Sequence, residues 1–217
     1  MIPNARFLPL ESNNHIMLPG EPANGVLAKA ISDFIGDPTA NAKTQAQAAA
    51  PAGLVTILFT DMEGSTAMTQ QLGDDRAQDL VREHNTAVRD ALKAHAGREI
   101  KHTGDGIMAS FASARGAVDC AIAIQRALAV GDSVRVRIGL NAGEPVAEEH
   151  DLYGTSVQMA ARVCAEADAG EILVSNVVRE LAAGKGFLFN DRGDHTLKGF
   201  EDSVRVYEVN WRHTAAS

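Results

Sequence analysis

LVTILFTDMEGST, Leu54 to Thr66, is the stretch from which the rest of the chain can be read. Val55, Thr56, Ile57 and Phe59 favour a pleated surface, so the run predicts a buried strand that delivers Asp61 to the rim of a sheet. Glu63 comes next, and Gly64-Ser65-Thr66 stand where a helix is expected to begin. Helix starts bind phosphate through backbone N–H groups that have no partner inside the helix. A carboxylate beside such a start suits a magnesium–nucleotide site, because magnesium takes one or two carboxylates plus substrate phosphates. Asp is also a favoured helix cap, and this stretch alone allows that plainer role for Asp61 equally well.

Downstream, Asp74 to His95 carries Ala77, Leu80, Val81, His84, Val88, Ala91 and Leu92 at helical spacing, with Gly97 as the stop. His84 falls on the apolar face and reads as a satisfied core histidine rather than a ligand. REIKHTGDGIMASF, Arg98 to Phe111, gives two strand-like runs around Gly104-Asp105-Gly106, a hairpin signal. Asp105 either serves the turn or supplies a second metal carboxylate beside the end of the first strand. Lys101 lies four residues before it, near the end of its strand. Ala112 to Val130 reads as an amphipathic helix and Val134 to Val146 as an alternating strand. A further helix starts near Gly154. A short strand (EILVS), a short helix (NVVRELAA) and two late strands, Phe187 to Asn190 and Val204 to Val209, surround the loop RGDHTLKGFED. This order predicts an α+β fold, a ferredoxin-like βαββαβ sandwich with a C-terminal strand–helix–hairpin extension. Helices are expected over one face of a mainly antiparallel sheet.

The 217 residues suffice for one large domain, or for one domain plus an appendage. The net charge of −8 and the lack of a basic stripe argue against nucleic acid as a partner. No apolar run approaches the length of a membrane span, and the first residues do not resemble a secretory signal, so a cytoplasmic protein is expected. Cys120 and Cys164 fall in helical patterns and read as reduced, buried, small apolar residues. Residues 1–38 suggest one strand (Ala5 to Ser12) and one amphipathic helix (Gly25 to Pro38), too little to bury a core alone. That piece resembles the C-terminal end of an α/β-hydrolase fold, with His15 at the place of the catalytic histidine. No G-x-S-x-G elbow occurs in the chain, so no hydrolase activity is expected. Residues 39–53, rich in Ala, Gln and Thr, read as a linker. The main domain is expected over 54–211, with 212–217 as a tail.

FTDMEGST, IKHTGDG, GLNAGEPV, DLYGTSVQMAAR and LKGF occur in the order found in class III nucleotidyl cyclase catalytic domains. From about Leu54 to Trp211 the chain resembles that family. No one of the motifs is decisive, but all of them in order, at family-like spacing, are specific. The resemblance implies that Asp61 and Asp105 hold two magnesium or manganese ions, helped by the backbone carbonyl of Met62. It implies that Lys101 and Asp151 select the base, that Arg162 meets transition-state charge, and that Lys198 contacts the terminal phosphates. A lysine donor and an aspartate acceptor complement adenine, so ATP is favoured over GTP. The implied reaction is ATP to 3′,5′-cyclic AMP and pyrophosphate, through two-metal-assisted attack of the ribose 3′-oxygen on the α-phosphate. Gln158 departs from the family, which commonly has Asn there to orient the ribose. The segment between Gly143 and Asp151 is short where the family places a dimerisation arm. The family builds its site between two catalytic domains. A homodimer is therefore expected, one chain giving Asp61 and Asp105, the other Lys101, Asp151, Gln158, Arg162 and Lys198. A guanylyl or mixed-specificity cyclase, or a non-catalytic nucleotide-binding regulatory module, are the competing readings. A diguanylate cyclase is not, since no G-G-D/E-E-F-like run is present.

Overall fold

Strand β1 (Val55–Met62) divides its side chains between two faces of a sheet, as a period of two requires. Leu58 and Met62 enter the larger apolar cluster, and Val55 and Ile57 enter a second. The computed structural model describes residues 53–64, 73–130, 134–149 and 151–212. The strand and helix expected before residue 39, His15, the linker to residue 52, the helix start at Ser65 and Thr66, and residues 213–217 lie outside these. The described residues all belong to one unit, Ala50–Ser217.

After β1 come α1 (Asp74–Ala94), β2 (Arg98–His102), β3 (Ile107–Phe111), α2 (Ala114–Ala129) and β4 (Val136–Gly143). A small hairpin is next, β5 (Val146–Glu148) and β6 (Asp151–Tyr153), then α3 (Thr155–Ala165), β7 (Ile172–Ser175), α4 (Asn176–Leu181), β8 (Phe189–His195) and β9 (Val204–Val209). The main sheet runs β2-β3-β1-β4-β7-β9-β8. Its first four strands are antiparallel neighbours and form the expected ferredoxin-like βαββαβ core; β7 joins β4 in parallel, and β9 and β8 complete the extension.

Helices α1 and α2 pack on one face, where Leu80, Val88, Val118 and Ile124 join Leu58, Ile138 and Leu140. Full burial of side chains of this size contributes about 1.5–3 kcal/mol each. The helices do not keep to that face. Helix α3 covers the opposite one, where Val157 and Ala160 meet Ile57, Met108 and Leu152, and Val163 meets Leu173 and Leu197. Gly139 of β4 permits this contact, because a Cβ there would lie 2.1 Å from the backbone nitrogen of Cys164.

Three local expectations are corrected. Helix α1 turns at Ala96, which holds the left-handed conformation (φ 54°), while the N–H of Gly97 closes the helix on the carbonyl of Leu92. Gly97 is small for another reason: a Cβ would fall 2.5 Å from the Phe111 ring. The strand read as Val134 to Val146 stops at Gly143, and Val146 begins the β5–β6 hairpin instead. Arg192 to His195, read as loop, continue β8. A bulge between Asp191 and Gly193, with Gly193 at φ 83°, lets this charged edge strand keep pairing with β9.

Candidate active site

Asp61 reaches the sheet rim near the end of β1, and Asp105 sits in the β2–β3 turn beside it. The Met62 N–H donates to the Asp105 carbonyl at 3.2 Å, and the Thr103 N–H donates to the Gly106 carbonyl at 2.8 Å. A Cβ on Gly106 would stand 2.0 Å from the Thr60 carbonyl oxygen, so only glycine lets the turn lie this close to β1. The Met62 side chain is buried, which leaves its backbone for any contact at the rim.

A network, buried at Thr60 and His84 and reaching the surface at His102, locks the same two segments together. Ile107 N–H donates to Thr60 Oγ1 (3.0 Å), and Thr60 Oγ1 lies 3.1 Å from His84 Nε2. His84 Nδ1 and His102 Nε2 each lie 3.1 Å from Asn85 Oδ1, and the Gly104 N–H points to His102 Nδ1. One proton assignment satisfies every member: both imidazoles neutral, His84 donating to Asn85 from Nδ1 and accepting from Thr60 at Nε2. Burial lowers the His84 pKa below its ordinary 6.5, against the opposing pull of the Asn85 hydrogen bond. His84 is thus the satisfied core histidine expected, and it braces the residue before Asp61.

Arg137 was not anticipated. It stands opposite Asp61 in the β1–β4 register, and its Nε donates to Asp61 Oδ2 at 2.7 Å. Its Nη1 reaches the Ala165 carbonyl at the end of α3 at 3.3 Å. Burial alone would lower the guanidinium pKa, but the Asp61 carboxylate outweighs it and holds Arg137 above its usual value. The alternation of VRVRIGL puts Arg137 on the face opposite Val136 and Ile138, yet nothing in that run tells which carboxylate a neighbouring strand brings across. Asp61, Arg137 and Thr103 line an open cleft of about 220 Å³ with Ala161, Cys164 and Ala165 of α3.

Lys101 and Asp151, fifty positions apart, meet at 2.6 Å between Nζ and Oδ2. A bulge in β2 between Glu99 and Lys101 turns the lysine toward β6. The next residue fixes Asp151: Leu152 is buried, and its N–H donates to Asp151 Oδ1 at 2.7 Å. Lys101 Nζ also lies 5.4 Å from the centre of the Tyr153 ring. Burial would raise the Asp151 carboxyl pKa, but Lys101, the Leu152 N–H and Tyr153 together hold it below the ordinary carboxylate value. This pair lines a second open cleft, about 400 Å³, with Ile100, Glu148, Glu149 and Tyr153. The two clefts share no lining residue.

Gln158 and Arg162 lie one turn apart on the outer side of α3. Lys198 is exposed at the tip of a tight turn in which the Phe200 N–H bonds to the Leu197 carbonyl at 3.0 Å and Gly199 takes φ 90°. Buried Leu197 pins that turn to the α3 side of the sheet. Among the described residues, neither Arg162 nor Lys198 forms an ion pair. The fold therefore brings Asp61 to Asp105 and Lys101 to Asp151, while Gln158, Arg162 and Lys198 point into solvent.

The donor set at the first cleft fits a hard divalent cation. Asp61 lines the cleft, Asp105 stands on the adjoining turn tied to the Met62 backbone, and Arg137 lies against Asp61. Among the described residues no group of three His, Cys, Asp or Glu could enclose a metal by itself. Magnesium or manganese, which complete their shells with phosphate and water oxygens, suit such a site; a protein-caged zinc does not.

The sequence profile described as the adenylate and guanylate cyclase catalytic domain matches residues 47–210. The chain belongs to this family. A Rhizobium meliloti protein, provisionally named adenylate cyclase 3, is 32% identical over 162 residues, covering 71% of this chain and 28% of that protein. The crystal structure of an adenylate/guanylate cyclase/hydrolase from Silicibacter pomeroyi is 30% identical with a TM-score of 0.66, covering 72% of this chain and 95% of that one. An adenylate cyclase from Trypanosoma brucei, in its monomeric state, shares the fold with a TM-score of 0.70 at 24% identity, over 77% of this chain and 94% of that one. This cyclase domain spans 28% and 40% of the curated relatives it matches at 32% and 34% identity. Among its described residues no helix is long and apolar enough to cross a membrane. Its cysteines, Cys120 and Cys164, are buried and free, and burial pushes both thiols up to about 12.

Proposed function

We propose that this cyclase domain is an adenylyl cyclase that converts ATP to 3′,5′-cyclic AMP and pyrophosphate, at two equivalent sites shared across a homodimer. The observation that carries the choice of base is the Lys101–Asp151 pair, a cationic donor 2.6 Å from a carboxylate acceptor on the wall of a cleft. Adenine offers ring-nitrogen acceptors beside a donor amino group and can engage both side chains once their ion pair parts. Guanine presents a carbonyl where that amino group would be, which the Asp151 carboxylate repels.

The reaction asks for positioning and charge rather than covalent catalysis. Lys101 and Asp151 orient the base. Gln158 reaches toward the ribose. The 3′-hydroxyl gives its proton to water as its oxygen attacks the α-phosphorus, the bond from the α-phosphorus to the bridging oxygen breaks, and pyrophosphate departs with that oxygen. Arg162 meets charge growing on the α-phosphate, as arginines do in other phosphoryl transfers. Lys198 meets the terminal phosphates. Asp61, Asp105 and the Met62 carbonyl would hold magnesium or manganese, which would supply positive charge beside the 3′-oxygen and the phosphates. Support for the shared arrangement lies in the separation of the two clefts within one chain and in Arg162 and Lys198, which face outward.

The test is turnover. Purified protein with manganese and ATP is expected to yield cyclic AMP and pyrophosphate by chromatography, with GTP a poor substrate and Asp105→Ala inactive. Equal use of ATP and GTP would replace this reading with a mixed-specificity cyclase. Absence of product at protein concentrations that drive association would replace it with a regulatory nucleotide-binding module.

A further inference from the structure

Asp61 and Arg137 face each other in register across β1 and β4. The guanidinium commits two N–H groups to one carboxylate oxygen, Nε at 2.7 Å and Nη2 at 2.5 Å. Its remaining arm is engaged as well, Nη1 donating to the Ala165 carbonyl at 3.3 Å, so the group is held in orientation from two sides. Both carboxylates act on it, Asp61 directly and Asp105 through its field. The pair is only partly exposed, 36% for the arginine side chain and 28% for the aspartate, so water screens it incompletely. A cationic side chain thus lies against the carboxylate to which the proposed reaction assigns the metal.

We propose that Arg137 is a built-in counter-ion that competes with the divalent cation for Asp61. Two carboxylates on neighbouring segments, without a guanidinium, would attract free divalent ions strongly. With Arg137 cancelling one of the two charges, the site binds them more weakly until that ion pair parts. The cation then enters the site with its nucleotide rather than ahead of it. This inference rests on Asp61 and Asp105 being the cation ligands.

The experiment is a manganese titration without nucleotide, monitored through the electron paramagnetic resonance signal of free Mn²⁺. Leaving nucleotide out separates the counter-ion role from any contact between Arg137 and substrate phosphates. Arg137→Met is expected to bind Mn²⁺ about threefold to fivefold more tightly than the unaltered protein, the scale a partly screened charged pair supports. Arg137→Lys, which keeps the charge, is expected to stay near the unaltered protein. Asp61→Asn combined with Arg137→Met is expected to lose the gain. Folding is monitored by circular dichroism, and Arg137→Gln takes the place of Arg137→Met if the latter does not fold. Equal or weaker Mn²⁺ binding by a folded Arg137→Met or Arg137→Gln protein overturns the counter-ion role while leaving the metal ligands in place. Failure of every protein to bind Mn²⁺ at millimolar concentration overturns the ligand assignment and this inference with it.

Discussion

Gln158 differs from the amide common in the family by one methylene, and it stands on the exposed face of α3 one turn before Arg162. The longer side chain has an additional torsion to restrict and carries its amide beyond where a shorter one would end. Gln158→Asn is therefore expected to raise kcat severalfold with less change in KM for ATP, measured from initial rates of cyclic AMP formation. His84 carries a different prediction. Its folded-state pKa lies below the ordinary 6.5, mainly through burial, so the unfolded chain binds the proton first as pH falls. The stability associated with neutral His84 is complete above about pH 6.5 and is lost as pH falls from there through the lowered folded value. Urea unfolding between pH 8 and 5 is expected to show that loss, and His84→Gln is expected to flatten it.

Elements carry the site through close approaches that only small residues allow. Helix α3 holds Gln158 and Arg162 and rests on Gly139 of β4, where a Cβ would meet the Cys164 backbone nitrogen at 2.1 Å. Gly139→Ala must push α3 off the sheet. A destabilisation of about 1–3 kcal/mol in urea unfolding is expected, the usual cost of overpacking. Because the helix bearing Arg162, the arginine proposed to meet the α-phosphate, moves with it, kcat is expected to fall at least tenfold in the protein that remains folded. Gly106 acts in the same way for the β2–β3 turn: a Cβ 2.0 Å from the Thr60 carbonyl displaces Asp105, so Gly106→Ala is expected to weaken Mn²⁺ binding while leaving α3 in place. The bulge before Lys101 and the short β5–β6 hairpin do the corresponding work for Lys101 and Asp151, aiming two side chains from separate strands at one another.

At the scale of the molecule, the question is where one complete site comes from. Asp61 and Lys101–Asp151 line clefts with no residue in common. On the shared-site reading, Asp61→Ala and Lys101→Ala chains are each inactive alone. A heterodimer of the two has one intact site, so an equimolar mixture that exchanges subunits freely is expected to regain about a quarter of full activity. A mixture that stays inactive although sedimentation shows heterodimers would place all site residues within one chain.

The sequence by itself determined the periodic elements and the residue types at the site. The β1 alternation, the apolar stripes of α1, α2 and α3, the Gly104-Asp105-Gly106 turn and the core position of His84 all come from local spacing, because burial on one face imposes period 2 or 3.6 on the side chains. The edge strand at Arg192 to His195 escaped that logic, because a charged, glycine-containing edge strand carries little apolar alternation. Only the tertiary structure decided that α3 crosses to the opposite face, that Lys101 meets Asp151, and that Arg137 lies against Asp61. Those contacts join residues 50 and 76 positions apart, and they depend on strand register, a bulge and the gap that Gly139 leaves. Register is set by the packing of the whole sheet against its helices, a sum over many distant contacts that no local run of residues encodes.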